Sequence, residues 1–127
     1  MAFSIRQLDH VVVYVADMER ALRFYCEVLG CTVERRPSER LVQMRAGASM
    51  IDLMQKPDDA GPDGPNMDHF AIAIEPFDEA ALRDYLSEHT VEPGEVFSRY
   101  GAEGQGPSMY IHDPDGNMVE LKGPPDA

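Results

Sequence analysis

The sequence predicts an α+β fold made of two tandem β-α-β-β-β modules, because one pattern of strands and a helix occurs twice. The first copy opens with the apolar segment Leu8 to Val15 (LDHVVVYV), and the second opens with Met67 to Ile74 (MDHFAIAI). The pair Asp-His stands at the same place in both segments, which indicates an internal duplication. Since 127 residues suffice for one ordinary domain, we expect a single domain over residues 1–127. Module one is expected at about residues 7–55, the linker at about 56–66 and module two at about 67–123.

A helix is predicted after the first strand of each module. Asp17 and Asp78 are suitable N-cap residues, and each precedes apolar residues at helical spacing. Gly30 is expected to end the first helix. The apolar stripe of the first helix comprises Met18, Ala21, Leu22, Tyr25, Val28 and Leu29, and that of the second comprises Ala81, Leu82, Tyr85 and Leu86.

Three short strands are predicted after each helix, because apolar residues alternate with polar ones between turn residues. The tetrapeptide Asp113 to Gly116 (DPDG) predicts a tight turn that joins the last two strands. The glycine-containing segment Arg99 to Pro107 is expected to act as a mobile lid. The predicted strands are Thr32 to Arg36, Arg40 to Arg45, Ser49 to Met54, Val96 to Arg99, Ser108 to His112 and Asn117 to Lys122.

The composition restricts the class of partner. The chain has 11 Lys and Arg against 23 Asp and Glu, which gives a formal net charge of −12 at pH 7. A surface of this sign repels phosphate backbones and anionic lipid, so we expect a small-molecule substrate and neither nucleic acid nor membrane as a partner. No apolar run approaches the roughly 20 residues of a membrane span, which favours a cytoplasmic protein. The two cysteines, Cys26 and Cys31, are expected to be reduced thiols.

The first and last predicted strands of each module carry residues of the types that bind metal ions in proteins. His10 and His69 lie on the first strands, whereas Asp52 and Glu120 lie between apolar residues on the last strands. Because strand side chains alternate between faces, all four are expected to point away from the helices. Their recurrence at matching positions predicts one site for Zn²⁺, Ni²⁺, Mn²⁺ or Fe²⁺, with His10, Asp52, His69 and Glu120 as ligands.

Four stretches of the chain resemble the vicinal oxygen chelate superfamily, which includes glyoxalase I, methylmalonyl-CoA epimerase, extradiol dioxygenases, and fosfomycin and bleomycin resistance proteins. The resemblance implies an eight-stranded mixed sheet that curves around a metal cavity. It also implies that His10, His69 and Glu120 are ligands, and that Asp52 occupies the position of a fourth, glutamate ligand in glyoxalase I. The stretches are LDHVVV at 8–13, FYCEVLG at 24–30, DHFA at 68–71 and YIHDPDGNMVEL at 110–121.

Asp52 separates the two reactions that the resemblance implies. With Asp52 as a ligand, the site resembles that of glyoxalase I, a lyase that moves a proton through a metal-stabilised enediolate. Glu120 and Asp52 are then the expected catalytic carboxylates, and Tyr110 is the expected hydrogen-bond donor to a substrate oxygen. Without Asp52, two histidines and one carboxylate resemble the Fe²⁺ site of an extradiol dioxygenase.

We expect the glyoxalase I-like reaction, and three questions stay open. A third possible function is a non-catalytic protein that sequesters a hydrophobic compound. Tyr14 stands where glyoxalase I has an arginine that helps to hold glutathione, which leaves the use of glutathione undecided. The resemblance implies a homodimer, whose site lies either within one chain or across the interface.

Overall fold

The computed structural model describes residues 2–28, 30–57, 66–112 and 118–126. Its elements follow the predicted order of two β-α-β-β-β modules, and a π-helical turn at Arg23–Val28 continues the first helix. The elements are β1 (Ser4–Val15), α1 (Met18–Leu22), β2 (Thr32–Ser38), β3 (Leu41–Ala46), β4 (Ser49–Gln55), β5 (Met67–Glu75), α2 (Glu79–Glu88), β6 (Val96–Gly101), β7 (Gly104–His112) and β8 (Met118–Lys122).

The strands belong to one eight-stranded mixed sheet, which confirms the predicted α+β fold class. The strand order is β2-β3-β4-β1-β5-β8-β7-β6. By their internal contacts the residues divide into two compact units, one of residues 10–68 and one of residues 1–9 together with 69–127.

The unit of residues 10–68 packs its helical segment against one face of β3 and β4. Asp17 caps α1, because its carboxylate accepts a hydrogen bond from the Arg20 amide at 3.1 Å. Gly30 has a φ of +86°, a left-handed conformation that favours glycine and ends the helical segment as predicted. The buried core residues are Met18, Cys31, Val42, Met44 and Leu53.

The unit of residues 1–9 and 69–127 repeats this arrangement with α2. Asp78 caps the helix by accepting a hydrogen bond from the Ala81 amide at 3.1 Å. Within the unit β5 pairs in parallel with β8, whereas β7 pairs antiparallel with both β8 and β6. The buried core residues are Ile74, Leu82, Leu86, Met109 and Leu121.

The segment predicted as a lid is part of a β-hairpin. The β6 and β7 strands pair from Val96 opposite Met109 to Gly101 opposite Gly104. Residues 99–101 therefore pair with residues 104–106, and the role of this segment as a lid stays a prediction.

Two predicted features, the tight turn before β8 and the linker between the modules, concern residues that the structure does not fully describe. The turn at residues 113–116 and most of the linker, residues 58–65, lie outside the described residues. Cys26 is half-buried and Cys31 is buried, and their reduced state stays a prediction. No helix within the described ranges combines the length and the apolar character needed to cross a membrane.

Candidate functional site

His69 and Glu120 are in contact inside the unit of residues 1–9 and 69–127. Their side chains are buried on the face of the sheet opposite the α2 core, as strand alternation predicts, with 6% and 1% of each residue exposed. The Nε2 atom of His69 lies 3.0 Å from Oε1 of Glu120. An imidazole and a carboxylate, both metal-ligand groups, thus meet out of contact with water.

The second oxygen of Glu120 is held by a serine. The hydroxyl of Ser108, on β7, donates a hydrogen bond to Oε2 of Glu120 at 2.9 Å, and Ser108 is itself fully buried. The hydroxyl oxygen accepts a hydrogen bond from Nη1 of Arg99 at 3.0 Å. Arg99, Ser108 and Glu120 therefore form a continuous polar chain, which orients the carboxylate.

Tyr110 stands beside this chain, directly opposite Glu120 in the β7–β8 pairing. Its ring makes an edge-to-face contact with the His69 ring, with a centroid separation of 5.2 Å. The guanidinium carbon of Arg99 lies 4.1 Å from the centroid of the Tyr110 ring. Tyr110 is thus on the same face as Glu120, and its ring packs against both His69 and Arg99.

The unit of residues 10–68 has the same strand register as its duplicate. In the β1–β4 pairing Asp52 lies opposite Val12, two residues after His10. In the β5–β8 pairing Glu120 lies opposite Ala71, two residues after His69. Each unit therefore holds an acidic residue on the strand next to its histidine, on the same face and at the same offset.

Asp52 has a polar neighbour that differs from the neighbour of Glu120. Gln43 lies opposite Asp52 in the β3–β4 pairing, the position that corresponds to Tyr110 in the other unit. Its amide Nε2 donates a hydrogen bond to Oδ2 of Asp52 at 3.3 Å. Asp52, Gln43 and His10 are all buried. The shorter aspartate side chain is thus held by an amide on its own unit.

A buried lysine also lies on the face of Glu120. Lys122, two residues further along β8, is only 1% exposed. Burial lowers the pKa of its ammonium group, and the negative charges of Asp9 and Glu120 oppose that effect. Asp9 is fully buried and accepts a hydrogen bond from the Ala102 amide at 2.9 Å. A buried amino group therefore accompanies the buried carboxylates of this unit.

Sequence reasoning did not identify Gln43, Arg99, Ser108 and Lys122 as parts of a site. Because side chains alternate along a strand, Lys122, two residues after Glu120, is expected on the same face. The sequence therefore contained the information needed to include Lys122. The same alternation from Tyr110 marks Ser108, whereas Gln43 and Arg99 become visible only with the register of neighbouring strands.

A family model described as the Glyoxalase/Bleomycin resistance protein/Dioxygenase superfamily matches residues 7–121. The chain belongs to this superfamily. The virulence protein STM3117 of Salmonella typhimurium is 32% identical over 122 residues, covering 92% of this chain and 83% of that protein. The resemblance to the vicinal oxygen chelate superfamily is thereby confirmed.

Solved structures share the fold at lower identity. Methylmalonyl-CoA epimerase from Mycobacterium tuberculosis matches with a TM-score of 0.68 and 24% identity, over 96% of this chain and 90% of that one. An extradiol ring-cleaving dioxygenase from B. fuscum matches with a TM-score of 0.70 and 20% identity, over 97% of this chain but 34% of that one. Membership of a largely enzymatic superfamily supports an enzyme that acts on a small molecule, whereas these structural likenesses concern the fold alone.

Proposed function

We propose that this protein is a divalent-metal-dependent lyase or isomerase of the glyoxalase I type, which moves a proton on a small substrate with neighbouring oxygen atoms. His10, His69 and Glu120 are the proposed ligands. Asp52 is proposed as a fourth ligand or as a carboxylate that carries the proton. The observation that carries the proposal is the buried contact of 3.0 Å between His69 and Glu120.

The residues fit a transition-metal ion by their chemistry. Two imidazoles and one carboxylate are donors that Zn²⁺, Ni²⁺, Mn²⁺ and Fe²⁺ accept. All three side chains are buried and lie on strands, which restrict their motion. Ser108 binds the second oxygen of Glu120, as expected for a partner that orients a ligand.

A bound divalent ion would draw electron density from the oxygens of the substrate and make a neighbouring C–H group more acidic. The carboxylate of Asp52 or Glu120 is proposed to take that proton and to return it to the adjacent carbon. The hydroxyl of Tyr110 is proposed to donate a hydrogen bond to a substrate oxygen. Gln43 keeps Asp52 in one orientation through its amide hydrogen bond. The burial of Asp52, Glu120 and Gln43 limits the access of water to the proton.

Calorimetric titration of metal-free protein tests the proposed ligands. We expect one Zn²⁺, Ni²⁺ or Mn²⁺ per chain, or one Fe²⁺ in the absence of oxygen. The variants Glu120→Gln and His10→Ala should weaken binding by about 100-fold or more, since altering even an orienting partner costs roughly 10–100-fold. Glu92→Gln is the matched control, because Glu92 is an exposed acid between α2 and β6, outside the strands that carry the proposed ligands. Failure of the wild-type protein to bind any of the four ions would refute the proposal.

The variant Asp52→Asn distinguishes the two roles of Asp52. If Asp52 is a direct ligand, metal affinity should fall by about 10-fold or more. If Asp52 only carries a proton, metal affinity should stay the same while turnover falls. The amide of asparagine preserves most of the side-chain volume, so a difference between the two measurements reports on chemistry rather than on packing.

The second candidate function is an Fe²⁺-dependent extradiol-type dioxygenase. It is favoured by the hydrogen bond between Gln43 and Asp52, since an aspartate held there leaves two histidines and Glu120 as the ligand set. This function predicts oxygen uptake with Fe²⁺ and catechol. The lyase or isomerase predicts turnover with Ni²⁺, Zn²⁺ or Mn²⁺ without oxygen.

Three remaining expectations have simple checks. A non-catalytic binding protein would keep its ligand affinity in the Glu120→Gln variant. The proposed homodimer predicts a sedimentation mass of twice 14.2 kDa. The proposed cytoplasmic location predicts recovery in the soluble cytosolic fraction of cells that express the chain.

A further inference from the structure

We propose that Arg99 binds an anionic group of the substrate, specifically a carboxylate, next to the proposed metal site. The inference rests on the proposed function, because it concerns the substrate of that same site. It adds a substrate class: a small molecule that carries a carboxylate in addition to its two neighbouring oxygens.

The first argument is the distance between Arg99 and the proposed ligand Glu120. Nη1 of Arg99 lies 3.0 Å from the Ser108 hydroxyl oxygen, which lies 2.9 Å from Oε2 of Glu120. The guanidinium group is therefore at most about 6 Å from the Glu120 carboxylate. A substrate with two or three carbons between its chelating oxygens and its carboxylate spans such a distance.

The second argument is that the surrounding side chains fix the plane of the guanidinium group. Its carbon lies 4.1 Å from the centroid of the Tyr110 ring and 5.1 Å from that of the Phe97 ring. Nη1 also donates to the backbone oxygen of Ser108 at 3.2 Å. Aromatic contacts and two hydrogen bonds to Ser108 hold the guanidinium group in place, and none of these partners is a carboxylate. Arg99 is half-buried, so its charge is only partly hydrated.

The third argument concerns charge. The chain carries 23 acidic residues, yet within the described ranges the contacts of Arg99 are with a serine and two aromatic rings and include no ion pair with a carboxylate. A guanidinium group has five N–H donors in a planar fork that matches the two oxygens of a carboxylate. Among the residues that the structure describes, the hydrogen bonds of Arg99 use Nη1, which leaves the donors of Nε and Nη2 for a ligand.

Two hydroxamates provide a test on Ni²⁺-loaded protein. Acetohydroxamate and the monohydroxamate of succinic acid offer the same pair of neighbouring oxygens, and only the second carries a carboxylate. We expect wild-type protein to bind the succinic probe about 10-fold more tightly, as measured by calorimetry. The variant Arg99→Gln should lose this preference, so that the ratio of its affinities for the two probes falls to about 1, whatever the change in its affinity for either probe alone. Arg23→Gln, at an exposed arginine on the π-helical turn, is the matched control and should keep the preference.

A second measurement needs no metal. In metal-free protein, titration with succinate should shift the NMR signal of the Arg99 Nε–H group, whereas the neutral succinamide should not. The spectrum of Arg99→Gln assigns this signal, and Arg99→Lys supplies the assignment if the glutamine variant fails to fold.

The two proposals fail in different ways. If Ni²⁺ binds but the two hydroxamates bind equally, or if Arg99→Gln keeps the preference, the role of Arg99 is refuted and the metal site stands. If the protein binds no metal, or binds neither hydroxamate, the NMR titration tests the role of Arg99. A shift with succinate but not with succinamide supports that role, and no shift with succinate refutes it.

Discussion

Replacing Ser108 with alanine tests whether this residue holds Glu120 in place. The variant removes a buried hydrogen bond of 2.9 Å to a carboxylate and a half-buried one of 3.0 Å from Arg99, and Arg99 keeps its bond to the Ser108 backbone oxygen. A hydrogen bond to a charged group contributes roughly 1.5–3 kcal/mol. We therefore expect the free energy of unfolding of metal-free protein to fall by about 2 kcal/mol, which lowers Tm by about 6–10 °C for a chain of this size.

Urea denaturation followed by circular dichroism at pH 7, in the presence of a chelator, measures this loss. Ser98→Ala is the control, because Ser98 is exposed on β6, where its hydroxyl accepts a bond from Gln105 at 3.1 Å; we expect a change within about 0.5 kcal/mol. In a Glu120→Gln background the effect of Ser108→Ala should shrink, because the acceptor is no longer charged. Metal affinity should also fall by about 10-fold. A Ser108→Ala protein as stable as the control, with unchanged metal affinity, would refute the role of Ser108.

Two further predictions concern stability. In Gly101→Ala the new Cβ would lie 2.4 Å from Oδ2 of the buried Asp9, so we expect a loss of about 1–3 kcal/mol in urea denaturation, and an unchanged midpoint would contradict this contact. Tyr14 donates a hydrogen bond to Oδ1 of Asp68 at 2.5 Å, which raises the pKa of the phenol above 10.0. Because the folded chain retains this proton, the contribution is present below pH 10.0 and is lost as the pH rises through the folded pKa. Unfolding free energies measured from pH 7 to 11 should therefore fall less in Tyr14→Phe than in wild type, and parallel curves would contradict the prediction.

The alternation of side chains was predictable for the strands that hold the candidate ligands. In β5 the apolar residues Ile72 and Ile74 pack with the helix α2, and His69 lies on the other face, as expected. In β8 the same rule separates Leu121 from Glu120. Alternation is a local property of extended backbone, so it can be inferred before the fold is known.

The hairpin at residues 101–104 shows a limit of local reasoning. The glycines of this region were interpreted as a sign of mobility. A Cβ at Gly101 would collide with Asp9, and one at Gly106 would come within 3.1 Å of Nζ of Lys122. The glycines are therefore required by close approach to residues that are distant in sequence. The sequence of one segment does not indicate which distant residue will approach it in the folded protein.

The sequence by itself determined the duplication, the order of helices and strands, the face on which His10, Asp52, His69 and Glu120 lie, and the superfamily. These properties follow from repetition, periodicity and short motifs, which are all local. Only the tertiary structure decided that His69 meets Glu120, that Ser108 and Arg99 extend this contact, and that Lys122 is buried beside it. The physical reason is that strand register brings together residues from separate strands, and register is fixed by the packing of the whole sheet and its helices.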